Sequence, residues 1–285
     1  MTHADDPHGG QPPLPFEAAE RYAQATLALG QAPLPAGSIE RLGLAYGPLP
    51  QHRLDLYAPA GAQGAPVLVF WHGGGWTNGW RHWVRLMAPA VLARGLLLLA
   101  PSYRLAHQAR LPAACDDATL ALAWARQQVA AHGGAAQRLV LAGHSAGGHL
   151  AALTALRDAP AQQGAAPPLR ACLPVSAILD LHHPAPPPGS LEERLYTCVL
   201  DDPDDDARLS PIHWTRGNPL PFALAVGQHD SERVRRSNRR MAALLQAQAA
   251  PCRLDTWAGC DHFATHLALA DTGHPWYDTL DSLTR

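Results

Sequence analysis

The chain has 285 residues, 47% hydrophobic and 16% charged, with a formal net charge of −2. An apolar fraction of that size supports a substantial core and excludes a disordered chain, and a near-neutral balance with no basic stripe speaks against nucleic acid or an anionic membrane as partner. The five cysteines (Cys115, Cys172, Cys198, Cys252 and Cys260) are scattered without CxxC spacing, which points to free thiols rather than a disulfide framework or a zinc site.

Residues 1–15 carry two early acids and no apolar segment of the kind a secretory signal requires, and are expected to form a disordered lead to a single domain over 16–285. No stretch approaches the roughly 18 uninterrupted apolar residues of a membrane span, so a cytoplasmic location is expected. The spacing in 16–30 predicts a helix ending on glycine. Alternating residues in 41–46 and 52–59 predict an antiparallel hairpin. Six continuous apolar runs follow, at 65–72, 96–103, 138–145, 171–177, 222–228 and 252–257. Continuous rather than alternating runs predict strands buried on both faces. The segments 83–95, 116–133, 147–158 and 231–248 have the length and pattern of helices between them. Repeated strand–helix alternation predicts an α/β fold, a mostly parallel sheet with helices on both faces. In such sheets functional residues lie beyond the carboxyl ends of strands.

Four strand ends carry the chemistry. Gly143-His144-Ser145-Ala146-Gly147 is a G-x-S-x-G pentapeptide between a buried strand and a helix, the context of a strained turn that exposes a nucleophilic serine. His72-Gly73-Gly74-Gly75-Trp76 follows another buried strand, and its unshielded backbone suits an oxyanion hole built from the N–H groups of Gly73, Gly74 and Ala146. His72 is expected to orient the loop. Asp230 lies just past the carboxyl end of the run 222–228, with Glu232 as the rival acid and a helix N-cap as the alternative role for Asp230; the strand-end position favours Asp230. His262 follows the last strand, giving the order Ser…Asp…His. His266 is the runner-up base. His144 and His149 flank the serine, but successive side chains diverge at a sharp turn and Ser145 points away from the packing face of the following helix. Trp76 and Tyr103 are expected to line a substrate pocket, with Trp80 and Trp276 as further aromatic candidates. The acidic stretch 201–206 lacks the pattern of a calcium loop, and no second ligand cluster accompanies His182-His183.

Together, "HGGGW", "SYRLA" (102–106), "GHSAGGHL" (143–150), "VSAILDL" (175–181), "LSPI" (209–212) and "GCDHF" (259–263) resemble the α/β-hydrolase superfamily, in its kynurenine formamidase (arylformamidase) and carboxylesterase branch. The resemblance spans roughly 40–265. It implies an α/β-hydrolase fold with Ser145 as nucleophile, Asp230 as acid and His262 as base, and neither metal nor organic cofactor. It implies cleavage of a small aryl formamide or a short-chain carboxylic ester through an acyl-enzyme on Ser145. Gly75 departs from the branch, where an aromatic or another residue is common, and suits the hormone-sensitive-lipase-like esterases, so formamidase and broad carboxylesterase both stay open. A non-catalytic binding protein of the same fold is the remaining reading; it would usually lack a triad member, and all three are present. The expected partner is a small ester or amide, and the sequence is compatible with a homodimer.

Overall fold

The computed structural model describes residues 10–161 and 169–284. Residues 1–9 of the expected lead lie outside the described residues. Residues 11 and 12 of that lead are tied down: Gln11 Oε1 accepts from the Gly79 N–H at 2.9 Å, and Asn78 Nδ2 donates to the Pro12 carbonyl at 2.6 Å.

Helix α1 (Glu17–Leu29) precedes the hairpin of β1 (Ile39–Ala45) and β2 (Arg53–Ala58). Strand β3 (Ala65–Trp71) leads to a 3-10 turn (Arg81–Met87), α2 (Ala88–Ala93) and β4 (Leu97–Pro101). The single helix expected over 83–95 is therefore broken: Pro89 cannot continue a helix from the preceding turn but is suited to the first turn of a new one. Next come α3 (Ala113–Gln128), β5 (Gly134–His144), α4 (Ala146–Ala161) and β6 (Ala171–Val175). Two one-turn helices, α5 (Leu191–Arg194) and α6 (Asp206–Leu209), precede β7 (Phe222–Gly227), α7 (Glu232–Gln246) and β8 (Cys252–Trp257). The short α8 (Ala264–Leu267) and α9 (Trp276–Thr284) complete the order.

The strands form one sheet in the order β1-β2-β4-β3-β5-β6-β7-β8. Strand β2 is antiparallel to both neighbours, and the pairs from β4 through β8 are all parallel. The continuous apolar runs are explained by the two faces they serve. Val67, Val69, Leu97, Leu99, Leu139 and Leu141 pack into the core that includes Leu122 of α3, Leu150 of α4 and Met241 of α7. The intervening Leu68, Phe70, Leu98, Ala100, Val140 and Ala142 pack on the other side, with Val91 of α2 and Tyr277 of α9. A strand's period of two divides each run between two apolar layers. The last run departs from this: β8 is an edge strand whose residues are half-buried or exposed. Among the described residues no helix is long and apolar enough to cross a membrane.

Parallel pairing brings the carboxyl ends of β3, β5, β6, β7 and β8 to the same rim. Every group treated below stands on that rim or packs onto it.

Candidate active site

Ser145 sits between β5 and α4 at φ 54°, a left-handed conformation that costs a non-glycine residue of order 1–3 kcal/mol. The flanking glycines make this turn possible. A Cβ on Gly147 would stand 2.1 Å from the Trp71 carbonyl oxygen, and one on Gly143 would stand 2.4 Å from the Gly147 backbone. The turn is anchored by the Ser145 N–H donating to the Val175 carbonyl at 2.9 Å.

The structure brings together three of the residues read from the sequence. His262 Nε2 lies 2.9 Å from Ser145 Oγ, and His262 Nδ1 donates to Asp230 Oδ1 at 2.7 Å. The second oxygen of Asp230 accepts from Ser176 Oγ at 2.6 Å and from the Gly227 N–H at 2.8 Å. Burial of Asp230 opposes its ionisation, but the bonds from His262, Ser176 and Gly227 outweigh it and hold the carboxyl below its ordinary range. Asp230 is not the cap of α7; Ser231 is, its Oγ accepting from the Val234 N–H at 3.3 Å. Glu232 is remote from this chemistry, exposed, and paired with Arg235 and Arg239 at 2.9 Å each.

The glycine loop lies against the serine. A Cβ on Gly73 would come within 3.3 Å of Ser145 Cβ, and one on Gly74, at φ 116°, would stand 2.0 Å from the Asn78 carbonyl oxygen. Neither amide N–H of Gly73 nor of Gly74 has a hydrogen-bond partner among the described residues. Ala146 opens α4, so its N–H has no acceptor one turn earlier within that helix. Three donors are thus available beside Oγ.

The two histidines that flank Ser145 are structural. His149 donates from Nε2 to the Leu209 carbonyl at 2.7 Å, and its ring meets Trp76 edge-on with centroids 5.0 Å apart. It thereby ties the 209–212 segment to α4 and backs one wall of the pocket. His144 donates from Nε2 to the backbone carbonyl of His262 at 2.8 Å. Its ring stacks on His266 with centroids 5.2 Å apart and planes at 11°. His266, the runner-up base, accepts from the Tyr22 hydroxyl at 2.7 Å and is fully buried.

Burial depresses all three imidazoles: His149 is brought down to about 4 and His266 to about 3. His144 is held well below its ordinary value by burial first and then by the neighbouring His262 and His266. In the unfolded chain each titrates near ~6.5, and above that pH both states are neutral. As pH falls from about 6.5 towards about 4 the unfolded state takes up protons that the folded state does not. Stability therefore falls by up to about 1.4 kcal/mol per pH unit for each group. The melting temperature is expected to drop steadily between pH 6.5 and pH 4, with Asp230 contributing only below that window. A flat or rising melting temperature there, measured by calorimetry, would contradict this account of the histidines.

The cavity in front of Ser145 has a volume of about 430 Å³. Trp76, Trp83, Phe16 and Phe263 line it together with Ile178 and Leu195. Trp76 stands where the sequence reading put it. Tyr103 does not: it is fully buried, stacks on His72 with centroids 4.4 Å apart, and donates to the His72 carbonyl at 3.1 Å. The Ala106 N–H donates to the Trp76 carbonyl at 2.7 Å, so the 102–106 segment braces the glycine loop from behind. Trp80 lies tilted against His82 and Trp276 packs edge-on against Phe70, and neither lines the cavity.

Three contributors were missed in the sequence. Ser176, at φ 46°, and Thr265 form a chain beneath Asp230 and His262: Ser176 Oγ lies 2.8 Å from Thr265 Oγ1, which donates to the His262 carbonyl at 2.8 Å. The strand-end rule could have found Ser176, which directly follows β6. Tyr22 of α1 carried no such signal, yet its ring stacks on Phe263 at 4.8 Å beside His262.

An eight-stranded sheet with this order, β2 reversed, and a serine at the turn after β5 make this an α/β-hydrolase fold, and solved structures agree. The carboxylesterase EstE1, cloned from a metagenomic library, matches with a TM-score of 0.76 at 21% identity, covering 95% of each chain. An inhibited esterase B from Lactobacillus rhamnosis matches with a TM-score of 0.77 at 21% identity, covering 93% of this chain and 94% of that one. The chain belongs to the BD-FAE family, whose match spans residues 54–238 and so takes in Ser145 and Asp230. Esterase LipC of Mycobacterium tuberculosis is 30% identical over 232 residues, 74% of this chain and 57% of LipC. The isoprenylcysteine alpha-carbonyl methylesterase ICME of Arabidopsis thaliana is 34% identical over 120 residues, 42% of this chain and 28% of ICME. The chain thus spans between 28% and 57% of these curated relatives.

Proposed function

We propose that this protein is a serine hydrolase of short-chain carboxylic esters, working through an acyl-enzyme on Ser145. The observation that carries the reading is the unbroken contact from Ser145 Oγ through His262 to Asp230, 2.9 Å and 2.7 Å, at the mouth of a largely apolar cavity. His262 accepts the Ser145 proton as Oγ attacks the ester carbonyl, and Asp230 stabilises the imidazolium. The N–H groups of Gly73, Gly74 and Ala146 receive the developing oxyanion, each such donor lowering the barrier by about 3 kcal/mol in a comparable site. His262 then gives the proton to the departing alcohol, and water attacks the acyl-enzyme by the same route. The names of the curated relatives support an ester as substrate.

Cleavage of a small aryl formamide is the second reading, favoured by the aromatic lining from Trp76, Trp83, Phe16 and Phe263. The two are separated by kcat/KM on p-nitrophenyl acetate and on N-formylkynurenine. Turnover of the ester alone leaves a carboxylesterase; efficient turnover of the formamide makes arylformamidase the better description. Turnover of neither by the wild-type protein would remove the proposal.

A further inference from the structure

The cavity is largely apolar, and beyond the Ser145–His262 centre its charged side chains are two arginines and one glutamate, Arg194, Arg233 and Glu192. That is an excess of positive charge in a space walled mainly by aromatic and aliphatic groups. Arg233 is the more deeply placed, with 14% of its side chain exposed. Its bonding is poor for a cation so enclosed. Its Nη1 stands 3.5 Å from Glu192 Oε1, its Nη2 makes a 3.5 Å contact with the Asp180 carbonyl, and its Nε is shut off from solvent without a partner. The carboxylate of Asp180 is already engaged by Arg240 at 2.6 Å. Arg194 has no ion pair or side-chain hydrogen bond among the described residues. Arg233 thus has one long ion pair and an enclosed Nε without a partner, which leaves its charge incompletely matched and favours a second anion brought to it. A planar fork of donors suits a carboxylate, which it can hold through two parallel bonds.

We propose that Arg233 and Arg194 form a carboxylate subsite, and that the preferred substrates are esters or formamides that themselves carry a carboxylate. The proposal rests on the hydrolase reading above and adds the substrate class to it. Glu192 has a positioning part, holding the Arg233 side chain at the cavity wall while leaving its charge incompletely matched.

The test uses pairs of substrates that differ by the one group. On the leaving-group side these are 3-carboxyphenyl acetate and phenyl acetate; on the acyl side, 4-nitrophenyl hydrogen glutarate and 4-nitrophenyl valerate. The quantity read is the ratio of kcat/KM within each pair, which a general loss of fold or activity does not move. In at least one pair the wild-type protein is expected to favour the carboxylate by about 10- to 100-fold, the range of a hydrogen bond to a charged group. R233M and R194M should each lower that ratio, R233M by about tenfold or more, and R233K should retain part of it. The preference should also weaken as salt is raised. No carboxylate preference in either pair, or one that survives in the R194M/R233M double variant, would overturn the subsite while leaving the hydrolase reading intact. Absence of turnover on the neutral esters would instead strike at the hydrolase reading.

Discussion

Ser145→Ala is expected to lower kcat on p-nitrophenyl acetate by about 10⁶-fold, with KM little changed, as loss of the nucleophile does in a comparable triad. The magnitude follows from the geometry. Oγ is the atom that His262 Nε2 faces at 2.9 Å, and the Gly73 and Gly74 amides have no hydrogen-bond partner among the described residues. Without Oγ the base has nothing to deprotonate but water. His262→Ala should cost about as much, and the double variant little more than either alone, because groups that act in one step are not additive. Steady-state kinetics on the three variants, with mass spectrometry of the serine-labelled protein after an organophosphonate, checks both points. Retention of even a hundredth of the activity in Ser145→Ala would rule out the acyl-enzyme mechanism.

Asp230→Asn should cost about 10⁴-fold, and here the pattern of donors supplies the reason. Ser176 Oγ and the Gly227 N–H both donate to Oδ2, so an asparagine at this position keeps its carbonyl oxygen towards them. Its amide then points at His262 Nδ1, a donor facing a donor. The ring must move its proton to Nε2, and in that tautomer it cannot accept a proton from Ser145. Glu232→Gln removes a charge that already faces solvent between Arg235 and Arg239 and should change kcat/KM by less than about twofold. The two variants compared side by side decide between the acids; a larger loss from Glu232→Gln would reverse the assignment.

Much of this architecture is legible in the amino-acid sequence. Runs such as "LVLAGHS" announce strands buried on both faces because each apolar layer takes alternate residues; Ser145 and Asp230 stand at the ends of such runs, and His262 follows the edge strand. The sequence placed a helix over 16–30 as well, but not what that helix covers. Tyr22 reaches His266, 244 residues later, through a tertiary approach that no local pattern encodes. Tyr103 was misplaced for a related reason. An aromatic residue in a loop beside a glycine-rich turn reads equally well as pocket or as brace, and only the stacking on His72 and the bond to its carbonyl decide. Likewise β8 is grouped with the continuous apolar runs although Arg253, Asp255 and Thr256 make it mixed, and at the sheet edge its residues are half-buried or exposed.

The segment ahead of the hairpin has an uneven freedom to change. Leu14, Pro15 and Phe16 form part of the cavity wall, and none of their side chains bonds to Ser145, Asp230 or His262. Six residues further on, the Tyr22 hydroxyl is locked to His266, and His266 lies against the ring that holds the His262 backbone. Drift at positions 14–16 would therefore alter which molecules are admitted while leaving the proton path alone, and drift at position 22 would disturb the path itself. The family match begins only at residue 54, beyond both. Selectivity in this protein can diverge at its amino-terminal edge without any change in the motifs by which the fold is recognised.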